Sequence, residues 1–251
     1  FVAALNRWGA PSENQVYADV EGNIGYKPAG RFPKRNNWDG LLPVPGDGRY
    51  EWDGYFDMDT LPVEYNPKRG YSATANSMNL PSGYPINDFK IGFEWSAPWR
   101  YLRIMEALED DANHSLEDSV NLQRDYKSVL ARQVISKLPR ISEYDQNLLD
   151  DWDFDLSPDS SSAALWAVWY YKHLIPNIKV LIDPYLQRPV GFSEIDSLTV
   201  LDLLDTERGK TIAYETLSPA ISELKELLGE NPATWNWGDL HQIKFSHPLY
   251  G

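Results

Sequence analysis

Two different repeats of apolar and polar residues follow one another along this 251-residue chain. Residues 15–20 are rich in β-branched and aromatic side chains, and the Gly22-Asn23 pair follows them. Such a run before a turn-forming pair predicts a hairpin, whose second strand begins at Ile24. The chain therefore opens with a β-rich region.

Loops and turns separate the predicted strands. Residues 42–46 (LPVPG) are predicted to be a loop, because proline fixes φ and removes an amide donor. Residues 51–54 have the composition of a turn. Residues 70–75 carry small side chains and predict a short strand that leads to Asn76. This density of Pro and Gly indicates backbone that is held in place for a site.

From about residue 96 the apolar residues recur every three or four positions, which is the period of a helix. Residues 99–108 predict a first helix. Ser115, with an acid at Asp118, has the spacing of an N-cap, and the helix that it begins is expected to reach residue 136.

Two more helices are predicted further along. Ser160 is expected to precede a helix over residues 163–173, and residues 212–228 predict a long amphipathic helix that stops at Gly229. The predicted fold class is α+β, with a β-rich part over residues 1–95 and a mainly helical part over residues 96–251.

Composition excludes several classes of function. With 23 basic and 37 acidic residues the formal charge is 23 − 37 = −14, and binding to nucleic acid, which needs clustered Lys and Arg, is not expected. No apolar run approaches the ~20 residues of a membrane span. The absence of Cys excludes disulfides, thiolate catalysis and cysteine-ligated zinc.

Several acidic residues and histidines could carry chemistry. Acids at 151, 153, 155 and 159 alternate as in a calcium loop, but Leu156 and Ser162 stand where an EF-hand needs Gly and Glu. A turn that caps the helix near Ser160 is the better interpretation. The separation of His241 and His247 fits no zinc pattern and indicates packing or surface roles.

A second class of function is a carbohydrate-binding or glycosidase-like domain. Asp57 and Asp59 would share one face of a strand and could form paired carboxylates. The 10 Trp and 15 Tyr residues could form a sugar platform or fill a core, and the core is favoured. Coplanar exposed rings or facing carboxylates would support this alternative.

Asn76 is the most informative single residue. A side-chain amide that is held rigidly after a run of small residues is a good donor to an oxyanion. An Asn at the end of a strand is also a common turn former. Spacing alone leaves both roles open.

The sequence resembles the penicillin acylase family of N-terminal-nucleophile amidohydrolases. The resemblance is carried by residues 14–26 (NQVYADVEGNIGY), residues 42–46 and Asn76, and more loosely by residues 235–241 (WNWGDLH). It covers nearly the whole chain, most strongly residues 13–100, and it matches an internal part of the family's β chain.

The resemblance implies a fold and a reaction. The β-rich part would belong to an αββα sheet layer. An N-terminal Ser, located outside this chain, would attack an acyl amide with its own α-amine as the base. The substrate would be a β-lactam side chain or an N-acyl-homoserine lactone, and the chain alone would be inactive. A non-catalytic relative of the same scaffold is the alternative.

Individual roles also follow from the resemblance. Asn76 would bind the oxyanion, and Arg100 would orient the Asn76 side chain. Asp88 and the backbone carbonyl of Gly40 would bind a structural calcium ion. Glu13 stands where the family has an apolar acyl-pocket residue, so a phenylacetyl pocket is not expected. The resemblance further implies a precursor with other α-chain and β-chain segments, and a periplasmic or secreted location.

Overall fold

The computed structural model describes residues 1–92, 94–110, 113–138, 147–186, 195–243 and 245. Contacts within the chain divide it into two compact units, Phe1–His114 and Ser115–Gly251. The first unit contains the strands and also one of the predicted helices. The described strands lie in the first unit and most of the described helices in the second, which confirms the α+β class.

The first unit is built on a small antiparallel sheet. Strands β1 (Glu13–Ala18), β2 (Ile24–Ala29) and β5 (Glu64–Tyr65) lie in the order β1-β2-β5, and Glu13 pairs with Ala29 at the far end from the turn. The predicted hairpin is confirmed.

The turn of this hairpin is held by one carboxylate and one glycine. Asp19 Oδ1 accepts hydrogen bonds from the backbone amides of Glu21 and Asn23, each at 2.9 Å. Gly22 has φ +86°, a left-handed value that glycine adopts without steric cost.

Other elements of the first unit surround the sheet. Helix α1 (Val2–Leu5) precedes it, strands β3 (Pro33–Arg35) and β4 (Trp52–Tyr55) form a second antiparallel pair, and helix α2 (Trp99–Asp110) follows. The turn predicted at residues 51–54 is wrong, because most of it is strand β4. The strand predicted at residues 70–75 is also wrong, since this segment pairs with no described strand.

A close backbone approach fixes the end of the hairpin. Gly30, directly after β2, has φ +148°, and a Cβ placed there would lie 2.6 Å from Cα and Cβ of Ser12. Only glycine fits such a position. The contact sets the position of Ser12, and therefore of Glu13 at the start of β1.

The second unit is helical. It contains α3 (Leu116–Leu122), α4 (Val129–Ser136), α5 (Asn147–Asp150), α6 (Ser161–Ala167), a π-helical segment (Val168–Leu174), α7 (Ile175–Ile178), α8 (Ser197–Leu204), α9 (Glu207–Glu215), α10 (Leu217–Leu228) and α11 (Trp237–Leu240). Its core includes the fully buried side chains of Trp166, Trp169 and Trp235. The prediction that Trp side chains fill a core is confirmed for these three residues.

Two predicted helices are interrupted. The helix from Ser115 has the expected capping box with Asp118, but it ends at Leu122, and α4 begins separately behind its own N-cap, Ser128. The predicted helix over residues 212–228 is two helices that meet at Thr216.

The break at Thr216 has a clear physical reason. Pro219 has no amide hydrogen, so it cannot donate to the carbonyl of Glu215. The Thr216 hydroxyl donates back to the carbonyls of Ile212 (2.8 Å) and Ala213 (3.0 Å). The predicted stop at Gly229 is confirmed, with φ +99° and its amide bonded to the Lys225 carbonyl at 2.9 Å.

None of the helices in the described ranges combines the length and the apolar character that a membrane span requires.

Candidate active site

Asn76 lies at a sharp bend in the first unit. Its φ is +61°, a left-handed conformation that Asn tolerates better than most residues. Its neighbours Ala75 and Ser77 are buried while Asn76 itself is exposed, and its carbonyl accepts a hydrogen bond from the Ser96 amide at 3.0 Å. The bend therefore presents the Asn76 side chain outward from a fixed backbone.

Arg100 fixes the orientation of this side chain. Arg100 lies in the first turn of α2, and its Nη2 donates to Asn76 Oδ1 at 2.7 Å and to the Ala75 carbonyl at 3.2 Å. A guanidinium has only donors, so the amide oxygen must face it. The Nδ2 group, with its two N–H donors, then points away from Arg100.

A cavity of about 200 Å³ lies beside Asn76 within the first unit. Its lining includes polar residues, among them Glu13 at the start of β1 and Asn76, together with Ser12, Asn14, Tyr26 and Asn79. The apolar lining residues are Pro28, Phe32, Leu80, Ile91 and Trp95. The structure thus brings two of the predicted site residues, Glu13 and Asn76, to one cavity.

Three of the polar lining residues bond to one another. The Tyr26 hydroxyl donates to Asn14 Oδ1 at 2.7 Å, and Asn79 Nδ2 donates to the Tyr26 hydroxyl at 2.5 Å and to Asn14 Oδ1 at 3.3 Å. Burial raises the pKa of Tyr26, so the hydroxyl stays protonated. Sequence reasoning missed these three residues, because only the pairing of β1 with β2 and a distant loop that carries Asn79 bring them together.

The two predicted calcium ligands lie in loops of the first unit. Asp88 is exposed, and Gly40 has φ +94° with its Cβ position 3.0 Å from the Arg35 guanidinium. One carboxylate and one carbonyl fall short of the six to eight oxygens that calcium takes. No group of three or more acidic or His side chains that could hold a metal occurs in the described ranges. These two residues do not form a calcium site by themselves.

The other acidic residues have structural roles. Asp57 caps the 3-10 helix Met58–Thr60 by accepting from the Asp59 amide, and Asp59 accepts from Asn6 Nδ2. The prediction that both lie on a strand face is wrong. Asp153 forms an ion pair with Lys127, and Asp155 accepts from the Ser157 amide at 2.8 Å.

Ser160 and His241 have the structural roles that were predicted for them. Ser160 caps α6 as predicted, and the His241 ring stacks on Trp237 at 4.8 Å. His247 lies outside the described residues. The exposed rings of Trp52 and Tyr55 meet at 66°, so they are not the coplanar pair that a sugar platform needs.

An oriented amide donor beside a cavity is an arrangement that acyl-transfer enzymes use to bind an oxyanion. The family model for penicillin amidase matches residues 1–251. The chain belongs to the penicillin amidase family, whose named members are acyl-amide hydrolases.

Its relatives include two kinds of acylase. An acyl-homoserine lactone acylase of Pseudomonas syringae pv. tomato is 28% identical over 91% of this chain and 32% of its own length. A penicillin acylase 2 proenzyme of a Pseudomonas species is 25% identical over 98% of this chain and 34% of its own length. The chain therefore spans about a third of the curated relatives it matches.

A solved structure supports the fold. The thermostable penicillin G acylase of Alcaligenes faecalis superposes with a TM-score of 0.67 at 20% identity, covering 94% of this chain and 50% of that one.

Proposed function

We propose that this chain supplies the oxyanion-binding part of an acyl-amide hydrolase. The observation that carries the proposal is the 2.7 Å hydrogen bond from Arg100 to Asn76 Oδ1. It leaves the Asn76 Nδ2 donors pointing away from Arg100, in a residue that lines the cavity. Asn76 is the catalytic residue in this proposal, and Arg100 positions it.

In this proposal the attacking group lies in another part of the protein. An N-terminal Ser adds to the amide carbonyl while its own α-amine, with a pKa near 8, takes the hydroxyl proton. The carbonyl oxygen becomes an oxyanion that accepts a hydrogen bond from Asn76 Nδ2. The amine leaves with a proton, and water hydrolyses the resulting ester.

The relatives support a larger protein and an acyl substrate. Their length, about three times that of this chain, and the proenzyme name of one of them favour further segments of one precursor. Their names favour an N-acyl-homoserine lactone or a β-lactam side chain as the substrate. In this proposal the 251-residue chain is inactive alone, and its turnover of an acyl amide would contradict it.

The decisive variant is Asn76→Ala in the full-length processed protein. Loss of one oxyanion donor lowers kcat by about 10²–10³-fold. Asn76→Gly removes the same amide while keeping φ +61° accessible, so it should lose the same activity without strain.

A matched control separates catalysis from backbone strain. Asn66 also has a positive φ, +46°, and does not line the cavity. Asn66→Ala should leave kcat within about twofold. An unchanged rate in both Asn76 variants would mean that the scaffold is non-catalytic or uses another donor.

Two expectations remain proposals for the whole protein. Calcium would need further oxygen ligands beyond Asp88 and the Gly40 carbonyl. Periplasmic or secreted placement rests on the family resemblance alone.

A further inference from the structure

The cavity beside Asn76 is small and has a mixed lining. Its volume of about 200 Å³ is well above what a single water molecule needs, so it admits a small organic group. Its lining includes the apolar side chains of Phe32 and Trp95 and the acidic residue Glu13. An acyl group with both an apolar and a polar part fits such a lining better than a plain hydrocarbon chain.

Three of the polar lining residues already bond to one another. Asn14 Oδ1 accepts from both Tyr26 and Asn79, and the Tyr26 hydroxyl accepts from Asn79 as well. Ser12, Asn76 and the exposed residue Glu13 are then the lining residues whose side chains can bond to a ligand.

Glu13 carries the charge of the cavity. Among the described lining residues it is the only one with a formal charge. No Lys, Arg or His in the described part of the chain forms an ion pair with it. The short contact between Gly30 and Ser12 fixes the backbone just before Glu13. Glu13 is thus an exposed acidic residue with no ion-pair partner among the described residues, at the start of a strand whose position is fixed.

We propose that the acyl group of the substrate carries a positively charged amine that pairs with the Glu13 carboxylate. This inference rests on the proposed amidase function and names its substrate class. The apolar remainder of the acyl group packs against Phe32 and Trp95. An acyl group with a carboxylate is disfavoured, because like charges repel.

Two acyl amides of the same leaving group test this directly: phenylacetyl-p-nitroanilide and its α-amino derivative. They differ by one amine, which is charged at pH 6 because an α-amine has a pKa near 8. The measurement is the ratio of kcat/KM for the charged over the neutral amide, in the full-length processed enzyme. The native enzyme should favour the charged amide.

Glu13→Gln keeps the size of the side chain and removes its charge. It should lower this ratio by about tenfold, because the carboxylate no longer attracts the charged amine. Glu21→Gln, at an exposed carboxylate of the hairpin turn that does not line the cavity, should leave the ratio unchanged. A ratio that Glu13→Gln does not alter would overturn the inference.

Asn76→Gly distinguishes this inference from the proposed function. It should lower kcat for both amides by the same factor. If it does so while Glu13→Gln leaves the ratio unchanged, only the substrate class is wrong. If Asn76→Gly has no effect, or the native enzyme cleaves neither amide, the proposed function fails and this inference fails with it.

Discussion

The two units of the chain differ in what holds their structure in place. The second unit buries Trp166, Trp169 and Trp235 completely, and its order comes from close packing. Eight glycines in the described residues have a positive φ, and seven of them lie in the first unit. Asn66 and Asn76, in the same unit, also have a positive φ. The candidate active site lies in this unit. The comparison teaches that packing supports one unit while specific backbone conformations position the site in the other.

Removing a core side chain should give the largest effect on stability. Trp169 is fully buried, and its Nε1 donates to the Ala213 carbonyl at 3.2 Å and to Thr216 Oγ1 at 3.1 Å. Trp169→Ala should reduce the free energy of unfolding by about 3–5 kcal/mol, measured by urea unfolding with circular dichroism. Tyr185→Ala, at a ring that is 85% exposed, should cost less than about 0.5 kcal/mol. Equal costs for the two variants would contradict a packed core.

Two glycine substitutions test the close approach of Gly30 to Ser12 in the first unit. Gly30→Ala combines a positive φ with a clash against Ser12 and should cost about 2–4 kcal/mol. Gly22→Ala also has a positive φ, but no atom lies within 4 Å of its Cβ position, so it should cost about 1 kcal/mol. Urea unfolding measures both, and a smaller loss for Gly30→Ala than for Gly22→Ala would refute the close approach.

The hairpin turn gives the smallest predicted effect, and it depends on pH. The Tyr17 hydroxyl, followed by the Asn23 side chain and amide, lowers the pKa of Asp19 from 3.8 to about 2. A lowered pKa means that the stabilisation is complete above pH 3.8 and is lost as the pH falls through 2. Asp19→Asn should therefore flatten the dependence of the unfolding free energy on pH between 4 and 2. Tyr17→Phe should flatten it in part, and an unchanged curve in both variants would show that these contacts do not form.

Local signals in the sequence predict local structure well. The Gly22-Asn23 turn, the Ser115 and Ser160 caps and the Gly229 stop all depend on neighbouring residues, and all four are found where they were expected. Helix lengths were overestimated, because apolar periodicity alone does not reveal a break such as that at Thr216.

The candidate site was predictable only in part. The resemblance pointed to Asn76 and Arg100, and the structure places their side chains in contact. Asn14, Tyr26 and Asn79 carry no local signal, since they meet only through strand register and a distant loop. The roles of Asp88 and Gly40 as calcium ligands would need further oxygen ligands, and they stay a prediction.

The central claim is that Arg100 acts through Asn76 by orienting its amide. A double-mutant cycle on kcat in the full-length processed protein tests this claim most directly. Arg100→Met should lower kcat by about tenfold or more in the native background, and it should have almost no effect in the Asn76→Gly background. An equal loss in both backgrounds would contradict the account, because Arg100 would then act independently of the amide.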